Sequence, residues 1–202
     1  MRAILFLVLT FMTLASPGQE KKLLYQVIRN GTKIGNLSLL ETRTGDIIKF
    51  KLLSEIKTRV IFTITASGAE EAEFEKGVLR SSSFTQTING KEKVNKKTFN
   101  KGTHYTVNNN GKETRINYST IAYNMVCLYT IEPINKTLIY SDKHSSFLTV
   151  TKIKDHHYRI KFPDGNYNEY TYENGTCKSI KVESTLYSIT MELLKQRRIA
   201  DF

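Results

Sequence analysis

Residues 158–195 read YRIKFPDGNYNEYTYENGTCKSIKVESTLYSITMELLK, and this stretch decides the fold class. Apolar and polar side chains alternate along it, and the alternation breaks at Asp164-Gly165 and at Asn174-Gly175. A period of two places successive side chains on opposite faces of a strand. Asp-Gly and Asn-Gly are typical of tight hairpin turns, because both central residues of such turns need a positive φ. The stretch therefore predicts a meander of three or four antiparallel strands.

The same pattern of strands and turns recurs upstream, from Leu23 to Asn117. Further hairpin signals stand at Asn30-Gly31, Asn89-Gly90 and Asn110-Gly111. We expect roughly ten to twelve strands of ordinary length in the whole chain. The turns carry no repeated side-chain signature, which argues against a solenoid or a propeller.

An acidic segment, Glu70–Glu75, contains four glutamates within six residues. We expect it to form a strand of its own, separated by a break at Ser67-Gly68 from an earlier strand over Val60–Ala66. Its glutamates are interpreted as a solvated face, because unpaired carboxylates are rarely buried.

The pattern changes once, over residues 119–129. Apolar residues recur there at intervals of three and four, which is typical of about three turns of amphipathic helix. Ser119 or Thr120 would cap its N-terminus, and Pro133 prevents its continuation. The predicted fold is all-β and mainly antiparallel: a single large curved sheet or a partly open β-barrel with one short helix at about 119–129.

The N-terminus has the layout of a secretory signal peptide over residues 1–18. Arg2 supplies a positive charge, Ala3 to Ala15 is almost wholly apolar, and cleavage after Ala15 or after Gly18 fits the small residues there. An uncleaved N-terminal anchor is the alternative interpretation. We expect residues 19–202 to form a single β domain that is exported, periplasmic or secreted, without a transmembrane span after signal cleavage.

The chain of 202 residues is basic, with a formal net charge of +11. Removing Arg2 with the signal peptide leaves 29 basic and 19 acidic residues, a net charge of +10. Nucleic acid is not an expected partner of an exported protein, whereas an anionic envelope component or anionic lipid headgroups match the charge. Alternatively, the lysines lie on solvent-facing strand positions, as in the segment 91–100, and keep sheet edges unpaired.

Two cysteines, Cys127 and Cys177, remain after signal cleavage. In an oxidising compartment such a pair can form one disulfide. Two buried free thiols are the alternative, because the sequence does not show whether the two residues approach each other.

No catalytic or metal-binding motif emerges from the sequence. His156 and His157 are adjacent, and adjacent residues on a strand point to opposite faces, so a solvated loop pair is favoured over a metal site. No nucleophile, base and orienting group can be assembled into one set. We therefore expect no enzymatic activity, no metal and no cofactor.

Four residues are the candidates for ligand binding. Tyr170 and Tyr172 share one face of a tyrosine-rich strand, where aromatic rings can line the mouth of a lipid cavity. Cross-strand aromatic pairing, which fixes strand register, is the alternative role for these two rings. Tyr123 and Met125 are the candidates within the predicted helix.

Several short patterns occur in a characteristic order along the chain. They are Leu24-Tyr25 with Val27, Ile34-Gly35 with Leu37, Gly77-Val78-Leu79, Glu132-Pro133, and Tyr170 and Tyr172 before Asn174-Gly175. From Leu24 to Gly175 this order resembles a family of exported bacterial proteins known as domain of unknown function 6134. The resemblance implies a large curved antiparallel sheet of the kind seen in periplasmic lipoprotein carriers. It implies no activity and assigns no functional residue.

Two functions are consistent with these features. The first is a non-enzymatic periplasmic protein that binds a lipid or another hydrophobic ligand on the concave face of the curved sheet. The alternative is a structural or interaction protein of the cell envelope that uses its basic face or an edge strand.

Overall fold

A computed structural model describes residues 18–59 and 63–200, with side chains in these ranges up to residue 198. Fourteen strands lie in the described part of the chain. The first eight are β1 Gln19–Arg29, β2 Thr32–Thr44, β3 Ile47–Arg59, β4 Thr63–Glu75, β5 Val78–Ile88, β6 Lys91–Asn100, β7 Tyr105–Asn109 and β8 Lys112–Ile116. The other six are β9 Leu138–Ser141, β10 Ser146–Lys154, β11 His157–Lys161, β12 Tyr167–Glu173, β13 Thr176–Glu183 and β14 Ser188–Ala200.

All of these strands belong to one antiparallel sheet. Its order is β8-β7-β6-β5-β4-β3-β2-β1-β14-β13-β12-β11-β10-β9, so neighbouring strands are consecutive in the chain except where β1 pairs with β14. The sheet is curved but not closed, with β8 and β9 at its edges. The predicted all-β, antiparallel, barrel-like fold is confirmed. The predicted signal peptide lies, except for Gly18, outside the described residues.

The hairpin turns follow the Asn-Gly signals. Asn174 and Gly175 join β12 to β13 with φ values of 50° and 71°, which the tight turn requires at both positions. The same conformation occurs at Asn30-Gly31, Asn89-Gly90 and Asn110-Gly111. These hairpins are therefore confirmed.

The Asp164-Gly165 turn is of another kind. Of these two residues only Gly165 has a positive φ, and its N–H donates to the Phe162 carbonyl at 3.0 Å. Pro163 occupies the second position of this turn, where its ring fixes a negative φ. The turn still joins adjacent strands, β11 and β12.

The predicted break at Ser67-Gly68 does not occur, and β4 runs through both residues. Ser67 pairs with Glu55 on β3 and with Thr87 on β5, so both neighbours support the strand here. Gly68 lies against Ser54, whose Oγ would be 2.9 Å from an added Cβ. Glycine at this position therefore makes room between strands and does not end one.

The predicted helix over 119–129 is wrong in length and in type. Only Met125–Tyr129 is helical, and this segment is a single 3₁₀ helix. The residues before it are extended: Ile121 and Tyr123 are buried while Ala122 between them is exposed. Their carbonyls accept hydrogen bonds from two strands, from the Leu79 N–H at 2.8 Å and from the Tyr140 N–H at 3.1 Å respectively. These tertiary bonds compete with helix formation and account for the difference.

The extended segment 121–124 crosses between the two halves of the sheet. The Ile121 carbonyl accepts a hydrogen bond from β5, and Asn124 forms an isolated β-bridge with Tyr140 of β9. The Tyr105 hydroxyl secures it by donating to the Leu79 carbonyl at 3.0 Å and accepting from the Ile121 N–H at 3.2 Å. The segment thus closes part of the gap that the sheet leaves open.

Side chains complete the closure between β9 and the opposite strands. Thr98 of β6 contacts the Tyr140 hydroxyl at 3.2 Å, and Ser82 of β5 donates to Asp142. The Lys96 ammonium donates to the Lys143 carbonyl at 2.8 Å. The inward-facing side chains of both halves, together with the 3₁₀ helix, form one hydrophobic core. That helix fills one part of the interior and leaves another part empty.

Candidate functional site

The curved sheet encloses a cavity with a volume of about 290 Å³. Its walls come from β2 to β5 on one side and from β12 to β14 on the other, and Met125 and Tyr129 of the 3₁₀ helix also line it. Ser141 at the end of β9 and residues 142–144 of the turn after it also line the cavity. The cavity is partly open to solvent, and the exposed Tyr187 is one of its lining residues. It is the candidate functional site.

Much of the cavity wall is apolar. Inward-facing side chains of the two opposing walls supply this surface, among them Leu37, Leu52, Phe84, Val182, Ile189 and Met191. They occupy inward-facing positions of their strands, so the side-chain alternation that is typical of a sheet also forms this apolar surface. An apolar wall with a few polar groups is typical of small-molecule sites.

Glu70 is the most unusual polar residue of the cavity. It lies on β4 with the inward parity of Ala72 and Phe74, and it is only 8% exposed. Its Oε1 atom is buried and has no hydrogen-bond partner in the described structure. Burial raises the pKa of Glu70, and the negative charge of Asp142 raises it further. The prediction of a solvated face is therefore wrong for Glu70.

The other glutamates of this strand do face outward. Glu71 pairs with Lys51 and Glu73 with Lys49, each at 3.0 Å across the β3–β4 ladder. Of the four glutamates in the acidic segment, only Glu70 lines the cavity.

Asp142 is the second buried carboxylate of the cavity. It follows β9 and is 1% exposed. Ser82 donates to its Oδ1, and the Asn124 side-chain amide donates to its Oδ2 at 2.8 Å. Burial raises the pKa of Asp142, and these two donors partly offset that effect. Asp142 is thus satisfied by the protein, whereas Glu70 is not.

Polar groups also line the outer part of the cavity. Asn168 donates through Nδ2 to the Tyr170 hydroxyl at 3.3 Å, while its buried Oδ1 has no partner among the described residues. His144 stacks on Phe162 with ring centroids 5.4 Å apart. Burial, assisted by the neighbouring Lys143, lowers the pKa of His144, which favours the neutral imidazole.

The structure separates the four predicted ligand-binding residues into two pairs. Met125 and Tyr170 line the cavity. Tyr123 and Tyr172 are buried and hold the backbone around the 3₁₀ helix, because Tyr172 donates to the Leu128 carbonyl at 2.7 Å and Tyr123 to the Ile131 carbonyl. Tyr172 also packs edge-on against Tyr158, with centroids 5.7 Å apart. Aromatic pairing therefore accounts for part of the tyrosine-rich strand.

Cys127 and Cys177 are both free thiols in this structure. Cys127 donates to the Asn124 side-chain oxygen at 3.3 Å, and Cys177 to the Ser179 carbonyl at 3.4 Å. Burial raises the pKa of both thiols. Each cysteine thus fills space in the core as a protonated side chain.

The two adjacent histidines contact different carboxylates. His156, in the turn after β10, lies 3.1 Å from Glu132, and His157 lies 3.3 Å from Glu169. In residues 18–59 and 63–200, no group of three or more His, Cys, Asp or Glu side chains is arranged to hold a metal ion. Nor does any helix of those residues have the length and hydrophobicity needed to cross a membrane.

Sequence reasoning missed Glu70 and Asp142. The parity of Glu70 with Ala72 and Phe74 was a usable signal, because it places all three on one face of a strand. Asp142 had no such signal, since it enters the cavity only when β9 approaches β5. Ser82 and Asn124 bring it there from distant parts of the chain.

The fold and the cavity together define a β-barrel-like protein with a partly open interior. The chain belongs to the family DUF6134, described as a domain of unknown function, whose family model matches residues 25–194. The resemblance stated from the sequence is thereby confirmed at the level of the family. No curated protein matches the chain.

One similar solved structure is a β-barrel-like protein of domain of unknown function DUF1849 from Brucella abortus. The two chains superpose with a TM-score of 0.55 and 10% sequence identity, covering 92% of this chain and 98% of the other. At this identity the likeness supports the fold alone.

Proposed function

We propose that this protein is an exported, non-enzymatic binding protein that holds a small ligand with an apolar body inside the curved sheet. The observation that carries the proposal is the open cavity of about 290 Å³, with apolar walls and a buried carboxylate that has no protein partner. An unpaired buried polar group is unfavourable in a folded protein, and a ligand that brings a hydrogen-bond donor into the cavity would satisfy it.

The cavity volume limits the ligand. It lies at the lower end of the range for small-molecule pockets, roughly 300–1,000 Å³. A liquid water molecule occupies about 30 Å³, so the space equals roughly ten waters. A single small amphipathic molecule, or one end of a larger lipid, fits this volume, whereas a complete phospholipid does not.

Binding without chemical conversion agrees with the state of the polar groups. Both oxygens of Asp142 already accept hydrogen bonds from Ser82 and Asn124. The thiols of Cys127 and Cys177 are buried with raised pKa values, which disfavours the nucleophilic thiolate.

A fluorescence titration tests the proposal. N-phenylnaphthylamine, a neutral dye whose emission rises in apolar surroundings, is added to the wild type and to Val182→Phe. Val182 lines the cavity, so the larger ring is expected to fill it and to reduce dye affinity by about tenfold. The matched control is Lys178→Phe, at an exposed position on the same strand.

The two variants separate cavity binding from adsorption to the surface. The proposal predicts that Lys178→Phe binds the dye like the wild type. Equal affinity of the wild type and Val182→Phe, or absence of dye binding in both, would reject the cavity as a ligand site. Mass spectrometry of an organic extract of the protein purified from its host then identifies the natural occupant.

A second candidate function rests on β6. Lys91, Lys93 and Lys97 are exposed on this strand, and none of them forms an ion pair within the described residues. Such a surface is suited to an anionic membrane or polymer of the cell envelope. Retention on phosphatidylserine vesicles is expected to be lost at about 0.5 M salt, because salt screens exposed charges. Unchanged retention at that salt concentration would reject this candidate.

A further inference from the structure

Two polar residues of the cavity lining carry a hydrogen-bond acceptor that lacks a donor. Glu70 Oε1 and Asn168 Oδ1 are both buried without a partner in the described structure, and both residues line the cavity. Asp142 adds a second carboxylate, although its oxygens are already bonded. A ligand that satisfies this region must therefore bring N–H or O–H groups.

The charge of the lining is opposite to the charge of the chain. The whole chain carries +11, yet the charged residues lining the cavity are four acids, one lysine and one histidine. The acids are Glu70, Asp142, Asp164 and Glu183, and the lysine is Lys143. Lys143 is exposed at the rim, and the lowered pKa of His144 favours its neutral form. Of the four acids, Asp164 is exposed as well and Glu183 pairs with Lys181 at 2.7 Å. The two buried carboxyl groups, Glu70 and Asp142, are therefore the groups that favour a cation in the interior.

The groups that face Glu70 supply no compensating positive charge. Neighbouring strands place Leu52 and Phe84 beside it. The titratable groups around its carboxylate are Asp142 from the turn after β9, Cys127 and Tyr129 from the 3₁₀ helix, and Tyr170 from β12. All of these groups are acidic or neutral.

We propose that the cavity binds the protonated amine of an amphipathic ligand, with the ammonium group on Glu70 and the alkyl part along the apolar walls. This inference rests on the proposed function and names its ligand class. An ammonium group carries three N–H donors and a positive charge, which match the unpaired carboxyl oxygen of Glu70. A hydroxyl group supplies one donor and no charge, so it does not favour the ionised form of Glu70 as an ammonium group does.

Ligand binding is coupled to the protonation of Glu70. Burial and Asp142 raise the pKa of this carboxyl in the empty cavity, so it holds a proton there at pH values where a free glutamate is ionised. An ammonium ion beside it favours the carboxylate, and the proton leaves when the amine binds. The affinity for an amine therefore rises with pH until Glu70 of the empty protein is ionised, and it falls again when the amine loses its own proton near about pH 10.

Three probes with one alkyl chain and different head groups test the proposal by calorimetry on the full exported chain. They are octylamine, octanol and octanoate. The wild type is expected to bind octylamine at least about tenfold more tightly than octanol, because charge-assisted hydrogen bonds are stronger than neutral ones. Repeating the octylamine titration in buffers of different ionisation enthalpy reports the proton released.

Glu70→Gln keeps the shape of the side chain and removes the charge. It is expected to abolish the preference for octylamine and the proton release while leaving octanol affinity within about twofold. Glu71→Gln is the matched control, because Glu71 is adjacent in sequence but faces outward and pairs with Lys51. This control is expected to behave like the wild type in both measurements.

The outcomes distinguish this inference from the proposed function. Octanol binding without a preference for octylamine, or a preference that survives in Glu70→Gln, overturns the ammonium site alone. Failure of all three probes to bind rejects the proposed function and the ammonium site with it.

Discussion

At the scale of single residues, Glu70 shows how one strand can place similar side chains in opposite environments. Glu71 and Glu73 lie on the outer face and form exposed ion pairs, which contribute little to stability. Glu70 faces inward, loses its hydration, and gains no donor from the described residues. Its position is unfavourable for the empty protein, and a ligand that supplies a donor would relieve it.

The burial of Glu70 predicts a dependence of stability on pH. Because its folded pKa is raised, the folded chain keeps a proton that the unfolded chain has already released. The free energy of unfolding of the empty wild type is therefore expected to fall as pH rises from about 4.3, the pKa of an unfolded glutamate, towards the raised folded value. Denaturant titrations across this range check the effect.

Two variants isolate the contribution of Glu70 in that experiment. Glu70→Gln is expected to lose this part of the pH dependence and to be the more stable protein at alkaline pH. Glu71→Gln is expected to follow the wild type. If the free energy of unfolding of Glu70→Gln changed with pH in parallel with that of the wild type, Glu70 would not have the raised pKa that its burial implies.

Tyr172 gives a contrasting prediction at the same scale. Tyr172→Phe removes the hydrogen bond to the Leu128 carbonyl and leaves that carbonyl without its donor, which is expected to lower the free energy of unfolding by about 1–3 kcal/mol. Dye affinity is expected to stay unchanged, because Tyr172 does not line the cavity. Tyr187→Phe, at an exposed position, is the control for stability. A loss of affinity without a loss of stability would contradict the structural role of Tyr172.

At the scale of elements, sequence alternation predicted the strands well and the segment 119–129 poorly. The Asn-Gly turns dictate their own backbone conformation, so Asn174-Gly175 could be predicted locally. Ile121, Met125 and Leu128 have helical spacing, but the Ile121 and Tyr123 carbonyls are used by β5 and β9. Hydrogen-bond partners far away in the sequence determine the conformation of this segment, and a local sequence pattern does not reveal these partners.

The contact between β5 and the turn after β9 can be tested by one substitution. Ser82→Ala removes a donor to Asp142, and hydrogen bonds to charged groups contribute about 1.5–3 kcal/mol, so a loss of stability of that order is expected. Faster amide exchange along β9 should accompany it, because this contact holds the edge strand in place. Hydrogen exchange with mass spectrometry measures both the extent and the location of the change.

Ser83→Ala is the matched control for that contact. Ser83 is the next residue of β5 and pairs with the outward-facing Glu71. It is expected to leave the exchange of β9 unchanged. Equal protection of β9 in Ser82→Ala and in the wild type would show that backbone contacts alone hold this edge.

At the scale of the whole molecule, one sheet of fourteen described strands curves until its two halves face each other. Side-chain alternation predicts the sheet and its inner apolar surface. It does not predict which inner region is filled, because this depends on where the chain between β8 and β9 returns. That chain brings in the 3₁₀ helix, and the turn after β9 brings in Asp142; both line the cavity region that stays empty. The fold could thus be predicted from local patterns, and the site could not.

The location of a bound ligand tests the central claim most directly. A crystal structure with a bromine-tagged octylamine gives the position of the bromine from its anomalous scattering. We predict an anomalous peak within the cavity, near the lining residues Val182 and Tyr187, and the amine nitrogen within hydrogen-bond distance, about 3 Å, of Glu70. A cavity without ligand, with bromine only on the outer face of the sheet, would contradict the account.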